Sequence, residues 1–228
     1  RVKTKKDESK SGGSNKKIKK KMNKNKKYGI IVLDLDETLF HTDKSEVHFR
    51  PKVTDFLICL NKYFYLVVYT AALKTYADKI LDKIKITDDI TAKKLFILKL
   101  YRNSCTPEGK DLRVVLKKLI AKKIKKKNDI PDKLLKNSNG LELNNIILVD
   151  NLVENFLDKK FFNGIPIKDF YQNTKDKSLV FLKNFFKKFV ELKKKNKNLN
   201  LRNYLYNNLY KLNSILKIQY NKCEKKKI

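Results

Sequence analysis

The sequence is poor in cysteine and histidine, with three cysteines and two histidines among 228 residues. The cysteines are Cys59, Cys105 and Cys223, which are odd in number, lie far apart and form no CxxC pair. This pattern indicates neither a disulfide framework nor a zinc site. The composition therefore favours a reducing compartment, such as the cytosol or the nucleus.

Long apolar runs are also absent. The longest central stretch without a charged residue is the eleven-residue segment from Tyr63 to Leu73. A helix that crosses a bilayer needs about 20 apolar residues. The segment is better explained as a buried strand that leads into a polar site, and we predict no membrane span.

Acidic residues and arginines are scarce, whereas lysine is abundant. The 55 basic and 24 acidic residues give a formal net charge of +31, and only five of the basic residues are arginine. Arginine is the residue that best reads base edges and grips phosphate with two hydrogen bonds. Abundant lysine and asparagine also arise from an AT-rich coding sequence. We therefore do not expect nucleic acid as a direct ligand, but we expect the positive field to attract phosphorylated or polyanionic partners.

The first 27 residues form a distinct basic segment. They contain thirteen basic and two acidic residues, almost no apolar ones, and the flexible Ser11-Gly12-Gly13-Ser14. Such a segment cannot bury enough apolar surface to order itself, so we predict a disordered lysine-rich arm over residues 1–27. Its lysines are compatible with a nuclear-import patch and equally with a solvated tail.

From residue 28 onward, short apolar runs alternate with segments of helical spacing. This alternation is typical of βαβ units and a parallel sheet. We predict one α/β domain over residues 28–195, with a mostly parallel sheet of about five strands and helices on both faces. The predicted strands are Gly29–Asp34, Phe64–Tyr69, Leu95–Leu100, Asn145–Val149 and Gly164–Lys168, and the predicted helices are Val53–Leu60, Thr75–Ile84 and Asp111–Lys123.

Three further segments complete the domain plan. A lysine-rich insert at about residues 117–142 is predicted as an exposed helix extension and loop, with a specificity insert as the alternative. A helical apolar stripe that should pack on the sheet consists of Leu179, Leu182, Phe185, Phe186, Phe189, Val190 and Leu192. Residues 196–228 form an amphipathic helical extension with a seam of Leu205, Leu209, Leu212 and Leu216. This extension should dock back onto the domain, with binding of a partner helix as the alternative.

The most informative segment is residues 30–41, an apolar run that ends in Asp34 and Asp36. Such a run is typical of a strand buried on both faces of a parallel sheet, and ligands bind beyond the carboxyl ends of these strands. Residues two apart on an extended chain point to the same side, while Leu35 between them points into the core. Taken alone, the pair is also compatible with a helix cap or a turn.

The segment closely resembles the signature of the haloacid dehalogenase (HAD) phosphatase superfamily. Its form is that of the NLI-interacting-factor-like phosphatases, which include the small C-terminal-domain (CTD) phosphatases of RNA polymerase II. Further motifs follow in the order of that family over roughly residues 28–192: Arg50-Pro51 with Phe56-Leu57, Tyr69-Thr70-Ala71-Ala72-Leu73 with Tyr76-Ala77-Asp78, Tyr101-Arg102-Asn103-Ser104-Cys105, Gly109-Lys110-Asp111-Leu112, and Ile146-Ile147-Leu148-Val149-Asp150-Asn151. The resemblance implies a Rossmann-like HAD core without a large cap domain.

The resemblance also implies a magnesium-dependent phosphoprotein phosphatase. Asp34 would be the nucleophile that takes up the phosphoryl group, and Asp36 would be the general acid and then the base. Thr70 closes one predicted strand and is expected to begin a helix, where it would grip phosphate; a plain helix cap is the alternative. Lys110 would complete the catalytic set by stabilising the charge of the phosphoryl group. Cys105 is interpreted as a packing residue, because the tyrosine-phosphatase loop of cysteine, five residues and arginine is missing.

The same resemblance assigns ligands for metal and substrate. Mg²⁺ would be bound by Asp34, the main-chain carbonyl of Asp36, Asp150 and Asn151. Magnesium characteristically uses only one or two protein carboxylates together with water. Thr38 and Arg102 would contact the substrate.

The departures from that family concern the substrate more than the catalysis. Eleven residues separate Thr38 from Arg50, so the hairpin flap is short, and no gap between motifs is long enough for an enclosing cap. An uncapped site favours a phosphorylated protein segment, such as the polymerase tail, as the substrate. The cysteine content favours a location in the nucleus or cytoplasm. The alternatives are a proteasome-associated phosphatase, a small-molecule or nucleic-acid phosphatase, and a non-catalytic presequence receptor of the mitochondrial translocase type. Both aspartates and Lys110 persist, which argues against the receptor.

Overall fold

The computed structural model describes residues 26–44, 46–107, 109–124, 129–156 and 163–216. The strands are β1 (Ile30–Leu33), β2 (Phe40–Asp43), β3 (Glu46–Phe49), β4 (Tyr65–Tyr69), β5 (Lys85–Thr87), β6 (Ile90–Thr91), β7 (Phe96–Leu100), β8 (Lys136–Asn137), β9 (Gly140–Leu141), β10 (Ile146–Asp150) and β11 (Gly164–Pro166). Five of them form a sheet in the order β11-β10-β1-β4-β7, with every neighbouring pair parallel. The predicted α/β fold class is confirmed. Three short antiparallel hairpins, β2–β3, β5–β6 and β8–β9, lie outside this sheet.

Helices cover both faces of the sheet. The helices α1 (Val53–Tyr63), α2 (Lys74–Lys83), α4 (Ser178–Lys195) and α5 (Leu201–Leu216) pack on one face, and α3 (Leu112–Ile124) packs on the other. The central strand β1 is buried on both faces of the sheet. Ile31 and Leu33 belong to the hydrophobic cluster on one face, and Ile30 and Val32 belong to the cluster on the other face. A strand buried on both faces needs an unbroken apolar run, which is the pattern of residues 30–33.

Residues 130–135 correct the prediction of an exposed loop after α3. Ile130, Leu134 and Leu135 are buried and pack in the same core cluster as α3. The lysines interspersed among them, Lys133 and Lys136, gave the segment a polar character that concealed its apolar positions. The rest of the lysine-rich insert is exposed in part, and residues 125–128 lie outside the described residues.

The two C-terminal helices pack against the domain. In α4, Leu179, Leu182, Phe186, Phe189 and Val190 are buried, while Phe185 and Leu192 are partly buried against the same cluster. In α5, Leu205, Leu212 and Leu216 are at most 5% exposed and belong to that cluster too. Docking onto the domain is therefore confirmed for residues 201–216. The predicted basic arm up to residue 25, and residues 217–228, lie outside the described residues.

Within the described part of the chain, none of the helices is both long enough and apolar enough to cross a membrane.

Candidate active site

Asp34, Asp150 and Lys110 form a buried charged cluster at the carboxyl edge of the sheet. Leu33 at the end of β1 pairs with Val149 of β10, so Asp34 lies beside Asp150, the last residue of β10. Nζ of Lys110 is 2.5 Å from Oδ1 of Asp34 and 2.6 Å from Oδ2 of Asp150. Asp34, Asp150 and Lys110 are 5%, 0% and 7% exposed. The fold thus brings together the two acids and the cation that the motifs predict.

Gly109 explains how Lys110 reaches this cluster. Its φ is +112°, in a region that glycine adopts far more readily than other residues. A Cβ at this position would lie 3.0 Å from Oδ1 and 3.2 Å from Cα of Asn155. Nδ2 of Asn155 in turn donates a hydrogen bond of 3.0 Å to Oδ2 of Asp150. No role for Asn155 follows from the sequence motifs, because only the folded turn of residues 153–156 places it beside Asp150.

The cluster holds more negative charge than Lys110 can neutralise. Burial raises the pKa of Asp34 to about 7, since desolvation, together with the neighbouring Asp150, outweighs the attraction of Lys110. Burial also opposes the charge of Lys110, but the two carboxylates outweigh it and raise the pKa of Lys110. Two buried carboxylates thus share one ammonium, and a divalent cation would complete the charge balance.

The donor atoms fit a hard cation such as Mg²⁺. One carboxylate oxygen each of Asp34 and Asp150 contacts Nζ of Lys110. Mg²⁺ is usually bound by one or two carboxylates plus water or substrate oxygens. No group of three or more His, Cys, Asp and Glu side chains is placed to hold a metal among the residues that the structure describes. The ion would therefore depend on these two carboxylates, and coordination by Asn151 and by the main chain of Asp36 stays a prediction.

Asp36 lies at the edge of the cluster and is half-buried. Its Oδ1 accepts a hydrogen bond of 2.8 Å from the hydroxyl of Tyr76, and its Oδ2 is 3.4 Å from Oγ1 of Thr70. The hydroxyl of Tyr76 is also 2.9 Å from Oγ1 of Thr42 on β2. Burial, reinforced by Asp36, raises the pKa of Tyr76 to about 12, so the phenol keeps its proton at neutral pH. The motifs include Tyr76 but do not reveal this contact.

Thr70 does not begin a helix, contrary to the prediction. The helix α2 begins at Lys74, because Leu73 before it is extended with φ −69° and ψ 147°. Oγ1 of Thr70 instead accepts a hydrogen bond of 3.0 Å from the backbone N–H of Ala72, within a turn. The Thr70 carbonyl lies 3.8 Å from Sγ of Cys105. Burial raises the pKa of the Cys105 thiol, which agrees with a packing role and not with a thiolate nucleophile.

Thr38 is fully buried beside Asp34, and the substrate contact expected of it stays a prediction. Its Oγ1 is 3.2 Å from Oδ2 of Asp34 and 3.0 Å from Oδ1 of Asn151, so it holds both residues in position. The fully buried Arg50 donates a hydrogen bond of 2.8 Å from Nη1 to the carbonyl of Thr38, and another from Nη2 to the carbonyl of Lys168. Arg50 thereby ties the loop that follows Asp34 to the segment that follows β11, a role that its motif alone does not reveal.

An open cleft of about 450 Å³ lies beside Asp36. It is lined by Asp36, Ala71, Ala72, Leu73, Tyr76 and Arg102. Arg102 is exposed, and its Nε donates a hydrogen bond of 2.8 Å to the carbonyl of Ala71, which keeps the guanidinium beside the cleft. This position suits the predicted substrate contact of Arg102, which stays a prediction.

A family model described as NLI interacting factor-like phosphatase matches residues 29–200. A probable C-terminal domain small phosphatase of Dictyostelium discoideum is 28% identical over 170 residues. CTD nuclear envelope phosphatase 1B of Danio rerio is 27% identical over 188 residues. These matches cover 66% and 68% of this chain, but only 47% and 64% of the two relatives. The chain therefore spans only part of the length of the curated relatives it matches.

A solved structure is similar in fold. The structure of Fcp1, an essential RNA polymerase II CTD phosphatase, superposes with a TM-score of 0.51, covering 84% of this chain and 72% of that one. The sequence identity is 12%, so this similarity shows the fold alone. The matched family segment, in contrast, includes every motif residue from Asp34 to Asn151. The chain belongs to the NLI interacting factor-like phosphatase family, the enzyme family that its motifs predicted.

Proposed function

We propose that this protein is a magnesium-dependent protein serine/threonine phosphatase that works through a phosphoaspartyl intermediate on Asp34. The proposal is based on the buried contact of Lys110 with both Asp34 and Asp150. Asp36 follows Asp34 by two residues. Two carboxylates that share one ammonium leave negative charge that a divalent ion would balance. The names of the relatives, and the family itself, agree with hydrolysis of a phosphomonoester.

In the first step, an oxygen of Asp34 attacks phosphorus. The P–O bond to the substrate side chain breaks as the P–O bond to Asp34 forms, and the carboxyl of Asp36 gives its proton to the leaving oxygen. Lys110 stabilises the negative charge that is shared between Asp34 and the transferring group. Thr38 keeps the Asp34 carboxylate oriented for attack through its contact with Oδ2.

In the second step, water attacks the phosphorus of the phosphoaspartyl group. Asp36, now a carboxylate, takes the proton of that water, and the bond between phosphorus and Asp34 breaks. Inorganic phosphate leaves, and both aspartates return to their starting states. One residue thus acts as acid and then as base, which general acid–base catalysis requires of a reversible proton carrier.

Magnesium would be held by Asp34 and Asp150, with the main-chain carbonyl of Asp36 and the side chain of Asn151 as further ligands. When bound, the ion neutralises phosphate charge and lowers the repulsion between phosphate and the attacking carboxylate. The excess negative charge around Lys110 is the feature of the chain that supports this assignment.

The substrate is proposed to be a phosphorylated protein segment. The cleft beside Asp36 is open, and the described residues between β1 and α1 form a short hairpin, β2–β3. Such a site admits an extended chain, whereas enzymes of small metabolites usually enclose them. The relatives are named as C-terminal domain and nuclear envelope phosphatases. By analogy, we propose CTD-like phosphoserine or phosphothreonine segments as substrates and a place of action in the nucleus or cytoplasm.

The proposal is tested by hydrolysis of p-nitrophenyl phosphate and of a phosphoserine peptide with Mg²⁺ or with chelator. We expect Mg²⁺-dependent turnover, and we expect Asp34→Asn to lower it by at least about a thousandfold, as removal of a nucleophile does. The matched control is Asp55→Asn on the exposed side of α1, which should keep full activity. A phosphorylated enzyme that hydroxylamine cleaves would identify the acyl phosphate. The absence of turnover in the wild type, or equal turnover in the Asp34→Asn variant, would overturn the proposal.

A further inference from the structure

We propose that Tyr76, supported by Thr42, is the positioning residue that orients Asp36 for proton transfer to the leaving group. This inference rests on the proposed phosphatase function and adds a role for Tyr76 and Thr42 in it. The inference is based on a continuous set of hydrogen-bonding contacts that runs from Thr42 on the β2–β3 hairpin, through Tyr76 on α2, to the carboxyl of Asp36.

The two oxygens of Asp36 are held unequally. Oδ1 accepts a hydrogen bond of 2.8 Å from Tyr76, a distance typical of a good O–H···O bond, whereas Oδ2 lies 3.4 Å from Thr70, near the limit for any hydrogen bond. An oxygen that accepts a strong hydrogen bond is poorly placed to donate a proton of its own. Tyr76 therefore fixes Oδ1 as the anchored atom and leaves Oδ2 as the atom that carries the proton to and from the reacting groups.

The direction of the hydroxyl contacts follows from the number of protons. A phenol has one O–H, and Asp36 takes it because a carboxylate oxygen is the stronger acceptor. The contact of 2.9 Å between Tyr76 and Thr42 must then have Thr42 as the donor to the phenol oxygen. Thr42 thus holds the hydroxyl of Tyr76 in place without competing for its proton.

The ring of Tyr76 is fixed from the hairpin side as well. Its centroid is 6.4 Å from that of Phe40, at an interplanar angle of 59°. Phe40 is fully buried at the start of β2. The Tyr76 ring also lines the cleft that begins at Asp36. The leaving group that enters this cleft would therefore meet the oriented carboxyl, and the hairpin would set its geometry.

The test is Tyr76→Phe, which removes one oxygen and keeps the ring. Proton donation matters little when the leaving group is acidic and much when it is basic. We expect kcat for p-nitrophenyl phosphate to fall less than about threefold and kcat for a phosphoserine peptide to fall about 30-fold, because general acid catalysis contributes about 10²- to 10⁴-fold. Thr42→Val should show the same trend with a smaller loss. A merely structural role would lower both rates by the same factor.

Two comparisons sharpen the test. Tyr101→Phe removes a hydroxyl that donates a hydrogen bond of 2.7 Å to Asp78, a similar pair outside the site, and it should leave both rates unchanged. Tyr76→Phe added to Asp36→Asn should lower the rate no further than Asp36→Asn alone, because the hydroxyl would act only through Asp36. Equal losses on both substrates, no loss on either, or full additivity with Asp36→Asn would overturn the inference. A wild type without turnover would instead overturn the proposed function.

Discussion

Asp34 is subject to opposing effects of burial and charge. Its ordinary pKa is 3.8, and burial raises the pKa to about 7 in spite of Lys110. The folded protein therefore binds a proton at Asp34 between pH 4 and 7, where the unfolded chain has released it. Stability that depends on this proton is fully present below the unfolded pKa and is lost as the pH rises toward 7. Asp34 must be ionised to act as the proposed nucleophile, and in that state it would work against the fold when no metal is bound.

Asp34→Asn should stabilise the protein in the presence of chelator, and more so at higher pH. The amide has a similar shape and no charge, so the variant does not lose stability at this position as the pH rises from 4 to 7. At pH 7.5 we expect its free energy of unfolding to exceed that of the wild type by on the order of 2 kcal/mol, with little difference near pH 4.5. Urea unfolding with EDTA at several pH values measures the free energy of unfolding of the wild type and of the variant. Asp55→Asn controls for the general effect of a lost carboxylate, and a pH-independent offset for Asp34→Asn would contradict the argument.

The helix α5 shows that the folded unit extends beyond the matched family segment. That segment ends at residue 200, yet Leu201, Leu205 and Leu212 are at most 3% exposed in the core shared with α4. The opposite side of α5 carries Tyr210, which is 91% exposed. The amphipathic pattern therefore has a direct packing consequence, since one side of the helix completes the core.

Leu205→Ala should destabilise the protein by about 2 to 4 kcal/mol, because it removes a fully buried side chain and leaves a cavity. Tyr210→Ala on the same helix should change the free energy of unfolding by less than about 0.5 kcal/mol. Denaturant titration of both variants measures the difference. Equal effects, or none for Leu205→Ala, would mean that α5 is not part of the cooperative fold.

The elements that the sequence predicted well are those buried on both sides. The strands β1, β4 and β10 are unbroken apolar runs, and the positions of Asp34 and Asp150 follow from where these runs end. The β2–β3 hairpin was expected as a short flap only through the family resemblance. The hairpins β5–β6 and β8–β9 were missed because their strands are only two or three residues long. The contacts of Asn155 and Tyr76 were missed for a different reason: they join residues whose proximity arises only after the sheet has formed.

At the scale of the whole molecule, the charge of the chain and the charge of the site have opposite signs. The chain carries a formal net charge of +31. The cluster of Asp34, Asp150 and Lys110 contains two carboxylates and one ammonium group. Under the proposed function, the long-range field would attract an anionic substrate toward a site whose local charge calls for a cation. Steering and catalysis would thus depend on different ions: salt would screen the first, and a divalent cation would support the second.

This separation predicts how salt acts on the reaction. For a phosphoserine peptide with acidic flanks, kcat/KM should fall by about tenfold between about 50 and 300 mM NaCl at constant Mg²⁺, because screening removes the attraction. The same peptide with lysine flanks should lose little or gain, since its flanks are repelled by the positive field. For both peptides kcat should stay nearly constant, because the buried cluster is little affected by bulk salt. A parallel fall for both peptides, or a fall in kcat, would show that salt acts on the site itself and that the net charge plays no part in substrate capture.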